Sequence, residues 1–181
     1  MKVLLHACCG PCASACVPRL LQAGHEVTMY FSNSNIDTEA EFNRRLEAAS
    51  ALSAADGVDL VCDAYDHEDW LEKVARGRED APEKGARCAE CYRYNIARAA
   101  GYAARHGYDA VATSLTVSPH KPSGAVFAAG ESAVRDVDGV ALLREDFKKG
   151  DGFKLSVQRS RELDLYRQRY CGCEFSGADR R

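Results

Sequence analysis

Nowhere does this chain run to the ~18 consecutive apolar residues that a membrane-spanning helix requires. Its opening stretch, MKVLLHACCGPC, holds an apolar run too short for the core of a secretory signal. A cytoplasmic protein with no membrane partner is therefore expected. The chain is also no polycation, since 24 Lys and Arg stand against 27 Asp and Glu, a net charge of −3. From Arg144 to Arg181, however, ten basic residues face seven acidic ones, a local +3 that leaves −6 on residues 1–143. This hints at a basic surface near the C-terminus, against the plainer alternative of a solvated charged face. There is no internal repeat and no low-complexity tract. The Cys-x-x-x-Cys-x-x-Cys spacing of radical enzymes that use S-adenosylmethionine is missing too.

What the chain does have is nine cysteines in 181 residues. In a small secreted protein they would suggest a disulfide scaffold. This chain is long enough to bury a substantial core as a single domain over residues 1–181, its cysteine count is odd, and no export signal is read in it. Metal binding or redox chemistry is the better account.

The remaining pattern is an alternation. Apolar runs at 2–7, 26–32, 58–64 and 109–115 read as strands, with a fifth at 140–144. Between and after them, helical spacing covers 12–24, 38–55, a short piece around 66–76, 88–107 and 156–168. Repeated strand–helix units predict a single three-layer α/β domain with a mainly parallel sheet. The expected strand order is 3-2-1-4-5, Rossmann-like in the manner of the nucleotide-alpha-hydrolases. In such sheets the site forms at the carboxyl ends of the strands. The loops His6–Cys12, Asn33–Asp37 and Thr113–His120 should gather there.

Two cysteine groups open helices. Cys8-Cys9-Gly10-Pro11-Cys12 sits at the first strand-to-helix turn, where Gly10 permits a tight backbone. Cys88-Ala-Glu-Cys91 begins the fourth helix. Helix-terminal amides lower a thiol pKa and favour thiolates, so four could be supplied for zinc or an iron–sulfur cluster. A thioredoxin-like redox pair is a further alternative. Cys12 is ambiguous between a cap near a metal and simple packing. Cys171-Gly-Cys173 could form a strained, labile disulfide, a third ligand group or two buried thiols. Cys16 and Cys62 read as core residues.

Five motifs, in order, resemble those of the cobalamin-independent epoxyqueuosine reductases. They are Leu5-His-Ala-Cys-Cys-Gly-Pro-Cys12, Asn33-Ser-Asn-Ile36, Glu83-Lys-Gly-Ala-Arg-Cys-Ala-Glu-Cys91, Thr113-Ser-Leu-Thr-Val-Ser-Pro-His-Lys121 and Tyr166-Arg-Gln-Arg-Tyr-Cys-Gly-Cys-Glu-Phe-Ser176. Departures are Ser34 for a usual Pro, Ser114 for a usual Thr, and Asn95 near a position that is often Arg. The resemblance implies the last step of queuosine synthesis, removal of the epoxide oxygen from the wobble base of a tRNA. It implies a [4Fe-4S] cluster on Cys8, Cys9, Cys88 and Cys91, with a mononuclear iron or other divalent metal beside it and Cys12 as a possible ligand. It also implies a redox-active Cys171–Cys173 disulfide and an electron donor.

Turning an epoxide into an alkene takes two electrons that no single side chain supplies. An acid must protonate the departing oxygen, and Asp37, His6 and Tyr92 are candidates by position. Tyr92, Tyr94, Tyr166, Tyr170 and the basic C-terminal stretch could hold a splayed anticodon base. Two other classes stay open. A tRNA-modifying ATP pyrophosphatase would want Ser-Gly-Gly-x-Asp-Ser where Cys8–Cys12 stands. A non-catalytic zinc module would be colourless.

Overall fold

A computed structural model describes residues 1–176. Arg180 and Arg181 of the basic C-terminal stretch lie outside the described residues. Five parallel strands form one sheet in the order β3-β2-β1-β4-β5. They are β1 (Lys2–His6), β2 (Glu26–Phe31), β3 (Asp59–Cys62), β4 (Ala110–Thr113) and β5 (Ala141–Leu142). The helices are α1 (Gly10–Gln22), α2 (Glu39–Asp56), α3 (His67–Trp70), α4 (Ala86–Arg105), α5 (Ser123–Val134) and α6 (Gly152–Glu162). A π-helical stretch, Leu71–Ala75, extends α3, and a 3-10 turn, Ser114–Val117, follows β4.

The layers follow from the two-residue period of a strand. On β1, Val3 and Leu5 join a core with Cys16, Val17 and Leu20 of α1 and with Phe42, Ala49 and Leu52 of α2. Leu4, between them, faces the opposite core, with Ile96, Ala99 and Ala103 of α4 and Val126 and Ala133 of α5. Both faces of the sheet are therefore covered, as the apolar strands require. The expected three-layer architecture and strand order are those observed. No helix of the described residues is long and apolar enough to cross a membrane.

Two glycines make close packing possible. A Cβ at Gly10 would stand 2.5 Å from the Ala48 carbonyl oxygen, so the start of α1 rests directly on the α2 backbone. A Cβ at Gly130 would stand 2.9 Å from the Leu142 side chain, which is how α5 covers β5.

Two sequence expectations are corrected. The last helix ends at Glu162, not Gln168. Asp164 adopts φ +49, and the Leu165 amide turns back to the Ser160 carbonyl. Residues 163–176 then run back over the molecule as a strap. Helix α5, Ser123–Val134, falls where the sequence reading placed no element.

Candidate functional site

The loops after β1, β2 and β4 meet at the carboxyl edge of the sheet, as expected. His6, at the end of β1, is wholly buried. Its Nδ1 pairs with the Thr113 hydroxyl at 2.9 Å and its Nε2 with the Ser32 carbonyl at 3.1 Å. The carbonyl can only accept, so Nε2 carries the proton and Nδ1 accepts from Thr113. Burial pushes the His6 pKa down, keeping it neutral. With both nitrogens occupied, His6 joins three loops rather than facing substrate.

Cys9 caps α1. Its Sγ accepts the Cys12 amide at 3.4 Å and the Gln168 Nε2 amide at 3.1 Å. Among the described residues, one group of potential ligands has its atoms within 4.8 Å of one another, namely the sulfurs of Cys8, Cys9 and Cys12. Hydrogen bonds from the Cys12 and Cys8 thiols hold Cys9 well below the usual thiol range, which makes it the most acidic thiol of the trio. Hydrogen bonds to Cys8, then to Cys9, together with burial, push the Cys12 thiol well up.

Cys88 lies in the first turn of α4 and Cys91 in the second. Cys88 Sγ accepts the Lys84 amide at 3.3 Å. Cys91 Sγ accepts Asn95 Nδ2 at 3.6 Å, and Nδ2 also donates to Asn35 Oδ1 at 3.0 Å. Burial pushes both thiols up. The helix-start argument for lowered thiols therefore holds for Cys9 alone. Desolvation outweighs the dipole at α4, and a metal would have to displace those protons.

Cys8, Cys12, Cys91 and Cys171 line one cavity of about 320 Å³. The cysteines of the first and fourth helices and of the strap thus open onto a common space. Tyr92 and Lys121 share its wall. Burial pushes the Tyr92 phenol up. The nearby Cys171 sulfur, and after it the Cys8 sulfur, push the Lys121 ammonium up against the effect of burial. Both groups stay protonated. Lys121 is prominent here, although no spacing in the sequence marked it apart from its motif.

The strap reaches the site because α2 pulls it in. Arg45 and Glu41 form a 2.7 Å ion pair whose side chains are each 2% exposed. Arg45 donates to the Cys171 carbonyl at 2.9 Å and the Tyr170 carbonyl at 3.3 Å, and its guanidinium lies over the Tyr170 ring. Tyr166 donates to Glu41, and Tyr170 to Asp37 at 2.8 Å. Asp37 also donates its amide to the Gly172 carbonyl. It therefore clamps the strap and is not among the residues lining the cavity.

None of the nine cysteines, all of which fall among the described residues, is in a disulfide. Cys171 is exposed at the cavity, whereas Cys173 is buried beside Trp70, Val74 and Tyr94, with Cys91 packed against the same cluster. Gly172 between them adopts φ +131, a conformation that favours glycine. Cys16 is core, as expected, but Cys62 is exposed at the end of β3.

The departures from the family motifs have structural work. Ser34 Oγ accepts the Asp66 amide ahead of α3. Ser114 Oγ accepts the Cys8 amide at 3.0 Å and donates to Cys8 Sγ at 3.3 Å. Asn95 bridges Asn35 and Cys91.

Comparison with known proteins agrees with the family that the motifs resemble. The family described as epoxyqueuosine reductase QueH matches residues 3–179. The epoxyqueuosine reductase QueH of Streptococcus pyogenes is 37% identical over 181 residues, covering 97% of this chain and 70% of that protein. The protein of the same name from Haemophilus influenzae is 32% identical, over 98% of this chain and 72% of its own length. That from Dehalococcoides mccartyi is 32% identical, over 99% and 94%. By its ordered motifs, its sheet and these relatives, the chain belongs to the epoxyqueuosine reductase QueH family.

Proposed function

We propose that the chain reduces epoxyqueuosine to queuosine in tRNA. The observation that carries this reading is the single cavity onto which Cys8, Cys12, Cys91 and Cys171 open together with Tyr92 and Lys121.

The donor set fits an iron–sulfur cluster. A four-iron cluster stands between its thiolates rather than letting them touch, so cysteines distributed around one cavity suit it. Cys8, Cys9, Cys88 and Cys91 are the proposed ligands; Cys8 and Cys91 line the cavity, whereas Cys9, grouped with Cys8 and Cys12, and Cys88, one turn ahead of Cys91 on α4, are not among its lining residues, and Cys12 is the thiol left for an adjacent divalent metal. When bound, the cluster would supply single electrons and Lewis acidity toward the epoxide oxygen.

The chain's own groups do the rest. Tyr92 and Lys121, held protonated, are placed to give a proton to the departing oxygen. The Cys171/Cys173 pair balances the reaction. Two thiols give up two electrons and two protons and become a disulfide. The epoxide takes both and becomes an alkene and water. Closing that bond must draw Cys173 from its apolar cluster, and an external electron donor must then restore the dithiol.

Lys84, His120, Lys121, Arg167 and Arg169 line the same cavity, with Glu83 the one acidic group among the lining residues. That rim suits the phosphates flanking a splayed anticodon base, and Tyr170 offers a ring for stacking.

Anaerobic purification with iron and sulfide analysis, followed by turnover on epoxyqueuosine-containing tRNA read by nucleoside mass spectrometry, tests the proposal. Brown protein that converts the base supports it. Colourless protein that binds only zinc refutes it and favours a structural metal module.

A further inference from the structure

Resting on the cluster ligands proposed above, we infer that the fold aims at least one hydrogen-bond donor at each of Cys8, Cys9, Cys88 and Cys91 in order to set the reduction potential of the cluster they hold, with Gln168 the donor that the strap delivers.

The four donors come from four different segments. Ser114 Oγ, beyond β4, reaches Cys8 Sγ at 3.3 Å. Gln168 Nε2, on the strap, reaches Cys9 Sγ at 3.1 Å. The Lys84 backbone amide, ahead of α4, reaches Cys88 Sγ at 3.3 Å. Asn95 Nδ2, one turn along α4, reaches Cys91 Sγ at 3.6 Å. Cys16 and Cys62, which are outside the proposed ligand set, do the reverse. Their thiols donate to carbonyls, Cys16 to that of Cys12 and Cys62 to that of Asp63.

A second observation separates this set from incidental packing. The other ends of the two amides, Gln168 Oε1 and Asn95 Oδ1, are buried with no hydrogen-bond partner. An orphaned buried acceptor costs about 1–3 kcal/mol, so each amide keeps its nitrogen on its sulfur at the expense of its own oxygen, Asn95 with Asn35 Oδ1 as a second acceptor for that nitrogen. Both residues line the thiol cavity.

The physical consequence has a sign. One-electron reduction places further negative charge on a cluster and its sulfurs. A donor aimed at the sulfur stabilises the reduced form more than the oxidised one and raises the potential. Gln168 carries an additional consequence. It lies three residues before Cys171 on the strap, so any movement of the strap that accompanies dithiol oxidation also bears on the Cys9 contact.

The test is a redox titration of the anaerobically loaded full-length protein, monitored by electron paramagnetic resonance. Wild type is compared with Gln168→Leu and Ser114→Ala. Each variant should keep its iron and sulfide, and its reduced-to-oxidised ratio at a fixed potential should fall roughly three- to tenfold, tenfold being about 59 mV for one electron. Gln168→Glu, which sets a carboxylate against the sulfur, should fall further. Loaded variants that titrate with wild type overturn the inference. If Gln168→Leu loses its iron, Ser114→Ala decides, because it removes one oxygen and leaves the strap intact. A wild-type protein that takes up no iron or sulfide fails at the first step, and the fault is then in the cluster assignment rather than in the tuning.

Discussion

Replacing Arg45 with Met tests how the strap is held. Arg45 and Glu41 are both 2% exposed, so neither charge has water to fall back on. Removing one partner of such a pair typically costs about 3–5 kcal/mol, because the remaining charge stays buried. Glu41 would keep the Tyr166 hydroxyl at 2.9 Å and Arg44 at 3.0 Å, which places the expected loss at the lower end, about 3 kcal/mol. Two strap carbonyls, Tyr170 and Cys171, would also lose their donor. With a urea m-value of about 2 kcal/mol/M, the unfolding midpoint should fall by roughly 1.5 M. Glu41→Leu combined with Arg45→Met removes both charges and should be less destabilised than Arg45→Met alone, because an apolar replacement of a whole buried pair is often close to neutral. Limited proteolysis should meanwhile cut the strap earlier in both variants than in wild type. A double variant less stable than the single one, or a single variant within about 1 kcal/mol of wild type, would refute the argument that this pair is a buried and mutually dependent clamp.

Cys88→Ser should abolish iron loading, whereas Cys62→Ser, outside the cavity, should load fully; iron and sulfide analysis of both decides the ligand assignment. Tyr92→Phe should keep its cluster and slow the chemical step by about 10²-fold or more in single-turnover assays, as expected when a positioned acid is removed; an unchanged rate moves the proton to Lys121. Removing Arg169 as Arg169→Gln should reduce the slope of log affinity against log salt for an anticodon stem-loop RNA by about 0.7, one single-strand phosphate contact, when measured by fluorescence anisotropy. Cys171→Ser should stay brown but lose multiple turnover, and a wild-type steady-state rate in that variant would show that the dithiol carries no electrons.

The sheet was legible because its information is local. Alternating strand and helix periods fix a parallel sheet, and the cysteine-rich and Asn-rich loops must then share its carboxyl edge. The strap was not legible, and the reason is specific. Helical spacing continues past Glu162, and the residue that ends the helix in the left-handed region is Asp164, not a glycine, so the usual stop signal is missing. Helix α5 was hidden by the opposite ambiguity. Gly130 reads as a breaker, yet it is there because Leu142 approaches too closely for a side chain. Burial of Arg45 and Glu41 could not be seen from α2, since what covers them is a segment some 125 residues away. The Cys88 and Cys91 thiols illustrate a third limit. Their place at a helix start was readable, but the desolvation that reverses their expected shift depends on the tertiary packing.

One position explains why cysteines could be written into this sheet at all. In doubly wound folds the first strand-to-helix turn presents helix N-terminal amides to an anion, commonly a phosphate. Here the anion is part of the chain. Cys9 occupies the cap itself, and its sulfur accepts the Cys12 amide that would otherwise face a ligand oxygen. The same amides that favour a phosphate favour a thiolate, and Cys9 is the one cysteine of the first group held well below its ordinary range, first by hydrogen bonds from the Cys12 and Cys8 thiols and further by the Cys12 amide. Gly10 keeps the helix start pressed on Ala48, so the cap cannot drift away from its neighbours. The position this fold commonly offers to an anion is thereby filled by a side chain of the chain itself, without altering the sheet. The cysteines of α4 and the strap, which have no such cap, depend instead on burial, on donors from Lys84 and Asn95, and on the Arg45 clamp.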